Sequence, residues 1–262
     1  MNKTSARIFL ILGLVASIGP MALSQDQKAP VGQPVQGVPV ADSKPRDRNI
    51  LWKIVDNCLE NKSNDDDYCE KCIEPLPTLL TKCDKASSSW DALTLCKKTL
   101  DVWENTSEFV ALKDQKMCGC TDQNFVHGLV LPLTKVTGIE DVKDRPKDIW
   151  QFAWDEAVEK IDKKETIVLV ANPRSKRTQD QLHIHIVRLA DGARNKLNAL
   201  EPRHVKKLDD VWTAATRHAS DAGLSGHEYG IAVAYDPKSG EFLVVTVSGS
   251  AEERFAVSKC PL

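Results

Sequence analysis

Two histidines separated by one residue sit in the run Thr178-Gln179-Asp180-Gln181-Leu182-His183-Ile184-His185-Ile186-Val187-Arg188-Leu189. On a β-strand side chains alternate between faces, so both imidazoles point one way while Leu182, Ile184 and Ile186 pack on the other. Just upstream, Ala171-Asn172-Pro173-Arg174-Ser175-Lys176-Arg177 is a polar, basic loop. Imidazoles able to act as nucleophile or donor, next to a cationic loop, point to chemistry on phosphate.

The surrounding pattern must supply strands to carry those rings. Thr166 to Ala171 is apolar and β-branched, which predicts a strand before the basic loop, with Leu182 to Leu189 as the strand after it. Phe109–Leu112 and Phe125–Leu131 alternate with period two and flank a turn-rich stretch, predicting an antiparallel hairpin that Pro132 ends. Tyr229–Tyr235 and Glu241–Val247 form a second hairpin across Asp236-Pro237-Lys238-Ser239-Gly240. Helical spacing predicts Ile50 to Leu59, Pro75 to Cys83, Ser89 to Val102, a helix capped by Asp148 and running to Lys163, Gly192 to Leu200, and Val205 to Ala222. His204 and His218 then fall on a charged helix facing solvent. The tryptophans at helical spacing read as core. Strands and helices do not alternate strictly, so the class is α+β with an antiparallel sheet.

Residues 1–24 read as a secretion signal, with Lys3 and Arg7 before an apolar core and Ala22-Leu23-Ser24 as a cleavage site. The apolar core is short for a span of about 20 residues, although an uncleaved anchor is the alternative. Residues 25–48 hold four prolines and no periodic apolar face, which predicts a disordered tether. Residues 49–262 are left as one domain. With 35 basic against 37 acidic residues, the charge balance gives no ground for nucleic-acid binding. The eight cysteines are an even number in an exported chain, hence a disulfide framework whose pairing sequence does not choose. Seven of them lie between Cys58 and Cys120, so Cys260 is expected to tie the C-terminus back to that region. A structural zinc on Cys69-x-x-Cys72 and Cys118-x-Cys120 is the competing use.

At the histidine strand the chain resembles the HIT superfamily of nucleotide hydrolases and transferases. There, three histidines alternate with apolar residues, and the run Gln181-Leu182-His183-Ile184-His185-Ile186-Val187 is similar with its first histidine replaced by Gln181. Asn172, Thr178 and the stretch His127-Gly128-Leu129-Val130-Leu131-Pro132 match further parts of that pattern. Within the superfamily the chain resembles the bacterial CDP-diacylglycerol pyrophosphatases at Arg177-Thr178-Gln179, Leu51 to Leu59, Phe109 to Asp114, Trp150 to Trp154 and Gly226-His227-Glu228-Tyr229. It departs from them in an inserted Cys-rich stretch around Cys72 to Trp103 and in a shorter segment after Tyr229.

The resemblance implies a HIT-like antiparallel sheet flanked by helices, with a Cys-rich helical insertion at about 58–104. It implies hydrolysis of CDP-diacylglycerol to CMP and phosphatidate at the membrane surface of the bacterial envelope, periplasmic or attached to the inner membrane, without metal or cofactor. His183 would attack the α-phosphorus, giving a nucleotidyl-histidine, and must be neutral to do so. The catalytic set would be His183, His185 and Thr178, with His127, Asn172, Arg174 and Arg177 binding substrate and the backbone carbonyl of Gln181 orienting the nucleophile. Arg174, Lys176 and Arg177 are otherwise a solvated loop. His227 and Glu228 are either substrate contacts or the start of a strand. Three histidines could instead hold a zinc with an open fourth position. Alternatives for the whole chain are a soluble nucleotide ester or phosphoramidate as substrate, or a secreted binding protein that has lost catalysis through Gln181.

Overall fold

The computed structural model describes residues 48–55, 102–117 and 120–261. The expected signal, nearly all of the tether, the end of the first helix, the helix at 75–83 and the Cys-rich part at 58–101 lie outside them. Eight strands, β1 (Val102–Asn105), β2 (Phe109–Lys113), β3 (His127–Pro132), β4 (Ile167–Ala171), β5 (Ile184–Arg188), β6 (Arg203–Val205), β7 (Tyr229–Asp236) and β8 (Glu241–Ser248), form one sheet. Their order is β1-β2-β3-β5-β4-β7-β8-β6 and every pair is antiparallel. Among the described residues the helices are α1 (Ile50–Ile54), α2 (Ile149–Lys160), α3 (Ala193–Asn198), α4 (Val211–Asp221) and α5 (Ala251–Phe255). The α+β class with an antiparallel sheet is what the patterning predicts.

Both faces of the sheet are apolar because both are covered. On one, Ile184 and Ile186 of β5 and Leu169 of β4 pack with Trp150, Ala153 and Ala157 of α2, and Trp150 meets Trp212 of α4 edge to face at 5.1 Å. On the other, Val168, Val170 and Val187 join Leu197 of α3 and Phe255 of α5. That second core fills only part of its face. Directly opposite residues of an antiparallel pair project to the same side, and the register sets Leu129 of β3 and Val170 of β4 against His185. His127, His183, His185 and Asn172 therefore share the side that α5 covers.

Several elements differ from their predicted form. Val102 and Trp103, expected at the end of a helix, lie in edge strand β1, and the Trp103 ring fills the space a side chain at Gly128 would need. Asp148 sits at the N-terminus of α2, but its side chain makes no capping bond, and the helix ends at Lys160 because Ile161 is already extended. Val158, an apolar residue of that helix, is exposed. The helix predicted from Val205 begins only at Val211: Arg203–Val205 adds strand β6 to the edge of β8, and a short 3₁₀ turn follows. His218 is buried on α4 rather than solvent-facing, since Thr246 Oγ1 at 2.8 Å and the Leu200 carbonyl at 2.9 Å satisfy its two nitrogens. His204 lies on β6, half exposed, 3.6 Å from Glu241. The β7–β8 turn behaves as its composition requires, with Asp236 accepting from the Lys238 amide and the Ser239 hydroxyl.

Cys120 and Cys260 form a disulfide with Cα atoms 5.7 Å apart, so the C-terminus is tied back as expected. The bridge joins the loop after β2 to the segment after α5, and both of those elements contribute to the site described next.

Candidate active site

Three histidine rings form a row. His183 lies one residue before β5 and His185 within it, with ring centroids 4.9 Å apart; His127 at the start of β3 lies 5.3 Å from His185. Both contacts are edge to face, and all three side chains are buried.

His183 Nδ1 is 2.7 Å from the Gln181 carbonyl oxygen. A carbonyl only accepts, so Nδ1 carries the proton and Nε2 keeps its lone pair. Among the described residues no hydrogen bond reaches that Nε2. Burial drives the His183 pKa down against the opposing pull of the Gln181 carbonyl, and Arg177 lowers it further. The ring is therefore neutral at physiological pH and offers a nucleophilic nitrogen. Gln181 itself is buried and points its amide away from the row: Nε2 donates to the Thr134 carbonyl at 2.8 Å and the Pro132 carbonyl at 3.1 Å, and Oε1 accepts from Val136 N at 3.4 Å. The side chain thus fastens the start of the histidine strand to the loop after β3.

His185 is also neutral, its pKa pushed down to about 3 by burial. Its Nε2 faces Glu252 Oε2 at 3.6 Å and its buried Nδ1 has no partner. His127 is the opposite case. Burial works against its charge, but Asp114 Oδ2 lies 3.0 Å from Nδ1 and Glu252 Oε1 3.0 Å from Nε2, and these carboxylates raise its pKa. Lys116 Nζ, 3.2 Å from His127 Nε2, also pairs with Glu252 Oε1. Burial disfavours charge on Glu252, yet the surrounding cations hold its carboxyl well below the usual carboxylate range; with His185 neutral, His127 and Lys116 carry that effect. Asp114, disfavoured by burial, is likewise held low by His127.

Asn172 closes the group from β4's end. Its Nδ2 donates to Glu252 Oε2 at 3.1 Å, and its Oδ1 accepts from the Ser250 hydroxyl and the Glu252 amide. The structure thus brings together His127, Asn172, His183 and His185, sets both nitrogens of His127 against carboxylates and holds the Asn172 amide through both its oxygen and its nitrogen. Arg177 is buried and forked onto Glu140, donating also to the Thr137 carbonyl at 3.1 Å; Gly138 leaves room for it, since a Cβ there would lie 2.6 Å from its Cζ. Arg174, Lys176 and Thr178 lie exposed on the loop between β4 and β5, and none of them has a hydrogen bond to the histidines. Arg48 anchors that loop through Asp180 at 2.7 Å and the Arg177 carbonyl at 3.2 Å. Glu228 accepts from the Ser175 amide at 3.4 Å, and His227 Nδ1 lies 3.2 Å from the Tyr229 hydroxyl; among the described residues neither has a hydrogen bond to the histidine row.

Sequence reasoning missed Asp114, Lys116 and Glu252. Ser250 followed by Glu253 is a helix-capping signal, and Ser250 Oγ accepts from the Glu253 amide at 3.1 Å, so α5 was detectable; its delivery of Glu252 to His127 was not. Asp114, His127 and His185 offer ligand atoms within 4.8 Å of one another and are the set that could hold a metal ion, in place of the three histidines.

The neutral, oriented imidazole and its cationic neighbours on an α+β sheet define a site for phosphoryl or nucleotidyl transfer. The model of the CDP-diacylglycerol pyrophosphatase family matches residues 78–237, and the chain belongs to that family. It is a hydrolase that cleaves the pyrophosphate bond of CDP-diacylglycerol, an enzyme of lipid metabolism. None of the curated proteins matches the chain.

The protonation states give the pH dependence a sign. The acid limb of kcat/KM is expected below the ordinary histidine value of 6.5, because His183 loses its lone pair only when the lowered pKa is crossed. Stability moves in the same sense: the unfolded chain takes up protons at His183 and His185 that the native state refuses, so their contribution is lost as pH falls below 6.5. His127, raised, contributes below 6.5 and loses its contribution as pH rises through its folded value. A kcat/KM profile with its acid limb at or above 6.5 would contradict the assignment.

Proposed function

We propose that the pyrophosphate bond is broken through a nucleotidyl-histidine on His183, in a HIT-like sheet and without a metal. The observation that carries this is the 2.7 Å contact from His183 Nδ1 to the Gln181 carbonyl. Nε2 attacks the α-phosphorus, forming the N–P bond as the bond from phosphorus to the bridging oxygen breaks, and phosphatidate leaves with that electron pair. The imidazole becomes cationic as the bond forms, so the Nδ1–H···O=C interaction strengthens toward the transition state and lowers the barrier. Water then attacks the phosphorus, the N–P bond breaks back to neutral His183, and CMP is released with a proton passed to solvent or the leaving oxygen.

His185 lies edge-on to the nucleophile, and with its Nδ1 buried the N–H that it offers a phosphoryl oxygen is the one on Nε2, beside Glu252. Thr178, Arg174 and Lys176, exposed on the basic loop, are the groups free to meet the leaving phosphate. His127 and Asn172 hold the site rather than the substrate, and Arg177 holds the loop. Export by the segment 1–24, followed by a tether over 25–48, would present residues 49–262 to lipid on the periplasmic side of the membrane. Among the described residues no helix is long and apolar enough to cross a membrane.

Purified enzyme is expected to release CMP from CDP-diacylglycerol in vesicles at an undiminished rate after chelation, and to turn over water-soluble CDP esters poorly. Loss of turnover on chelation, restored by a divalent metal, would sink the metal-free mechanism; equal turnover of soluble esters would sink selectivity for lipid.

A further inference from the structure

Beyond the family match at 78–237, at the far end of the chain, α5 contributes one side chain that touches nearly everything in the site. Glu252 is buried, and its two oxygens serve different groups. Oε2 accepts from Asn172 Nδ2 and faces His185 Nε2; Oε1 takes His127 Nε2 and the Lys116 ammonium. We propose that Glu252 is the positioning residue of this site, orienting the His185 ring with one oxygen and holding His127 and Lys116 behind it with the other.

Three observations carry the argument. Geometry comes first: His185 packs edge-on against His183 at 4.9 Å, so whatever fixes the rotation of His185 also restricts the nucleophile's ring. Glu252 is the only side chain that an ion-pair contact joins to His185 among the described residues.

Charge balance comes next. Asp114 and Glu252 are two buried carboxylates set against the two nitrogens of the His127 ring, and the Lys116 ammonium pairs with Glu252. Buried charges persist when they are paired and hydrogen-bonded in this way. The groups facing His127 are Asp114 from the end of β2, Lys116 from the turn after it, His185 from β5 and Glu252 from α5. Removing the Glu252 charge leaves the Lys116 ammonium without its carboxylate.

The third observation is mechanical. Asn172 Oδ1 grips α5 at Ser250 and Glu252, and the Cys120–Cys260 disulfide fastens the segment after α5 to the loop carrying Lys116. The carboxylate is thus held from the end of β4 and from the loop after β2.

This inference rests on His183 as the nucleophile, and its test separates the two. In Glu252→Gln the amide keeps the shape and an acceptor for Asn172 but loses the charge. Misplaced reacting groups cost about 10²-fold, so kcat is expected to fall about 10- to 100-fold with KM for CDP-diacylglycerol in vesicles little changed. Imidazole NMR of the substrate-free full-length chain should show the His185 and His183 ring resonances shifted from their wild-type positions with circular dichroism unchanged. Lys116→Met, at a half-exposed position, removes the cation that pairs with Glu252 and is expected to lower kcat several-fold. Unchanged His183 and His185 ring resonances in Glu252→Gln, or an equal loss confined to KM, would overturn the proposal even if His183 proves to be the nucleophile. So would stoichiometric zinc in the purified protein with turnover abolished on chelation, since Asp114, His127 and His185 would then be metal ligands.

Discussion

His183→Ala should lower CDP-diacylglycerol turnover by roughly 10⁴- to 10⁶-fold, the scale of losing a covalent nucleophile, while leaving the fold intact. The side chain is nearly buried, but its one hydrogen bond is to a backbone carbonyl, and that carbonyl lies next to the polar loop. Truncation therefore removes the reacting nitrogen without stranding a buried charge. KM should change little, because the groups left to bind the substrate, His185 and the basic loop, are untouched. Circular dichroism with steady-state kinetics on vesicles checks both halves. Activity within tenfold of the wild type would remove His183 from the mechanism.

Gln181→Leu should destabilise the protein by about 3 kcal/mol and reduce kcat about 10²-fold. Leucine matches glutamine in bulk but leaves the Thr134 and Pro132 carbonyls and the Val136 amide without their buried partner. Buried polar groups without partners are the source of the stability loss. The catalytic loss has a separate cause. The Gln181 carbonyl remains, but the strand that carries it is no longer pinned to the loop after β3 except by the Leu182 amide on the Val136 carbonyl at 2.6 Å. A few tenths of an ångström at that carbonyl turns Nε2 off line. Urea midpoints and kcat measured together decide the case: a stability loss with unchanged kcat would mean that the side chain serves the fold alone.

The position that breaks the histidine pattern is thus the one that the fold uses most locally. Alternation on the strand was enough to place His183 and His185 on one face with Ile184 and Ile186 on the other, because period two survives any tertiary arrangement. The β7–β8 hairpin was legible for a similar reason, since Asp236 and Gly240 set the turn by local chemistry. What was not legible depends on partners distant in the chain. His218 looks like a surface histidine until β8 brings Thr246 against it, 28 residues later. Arg177 reads as a phosphate ligand until Glu140 and the space over Gly138 are known. Val205 fits a helical stripe, but the open edge of β8 captures it as strand. Glu252 meets His127 across 125 residues, from a five-residue helix with no amphipathic signal of its own. Its contact changes the expected task of His127 from an oxygen ligand to a ring held between two carboxylates.

The central claim is a covalent bond between His183 and the nucleotide. Rapid quenching of the enzyme with CDP-diacylglycerol labelled in its α-phosphate should trap an acid-labile, alkali-stable nucleotidyl protein whose label maps to His183, forms as fast as phosphatidate appears, and is absent from His183→Ala. Product formation in a single turnover with no labelled protein, or with label on another residue, would contradict it.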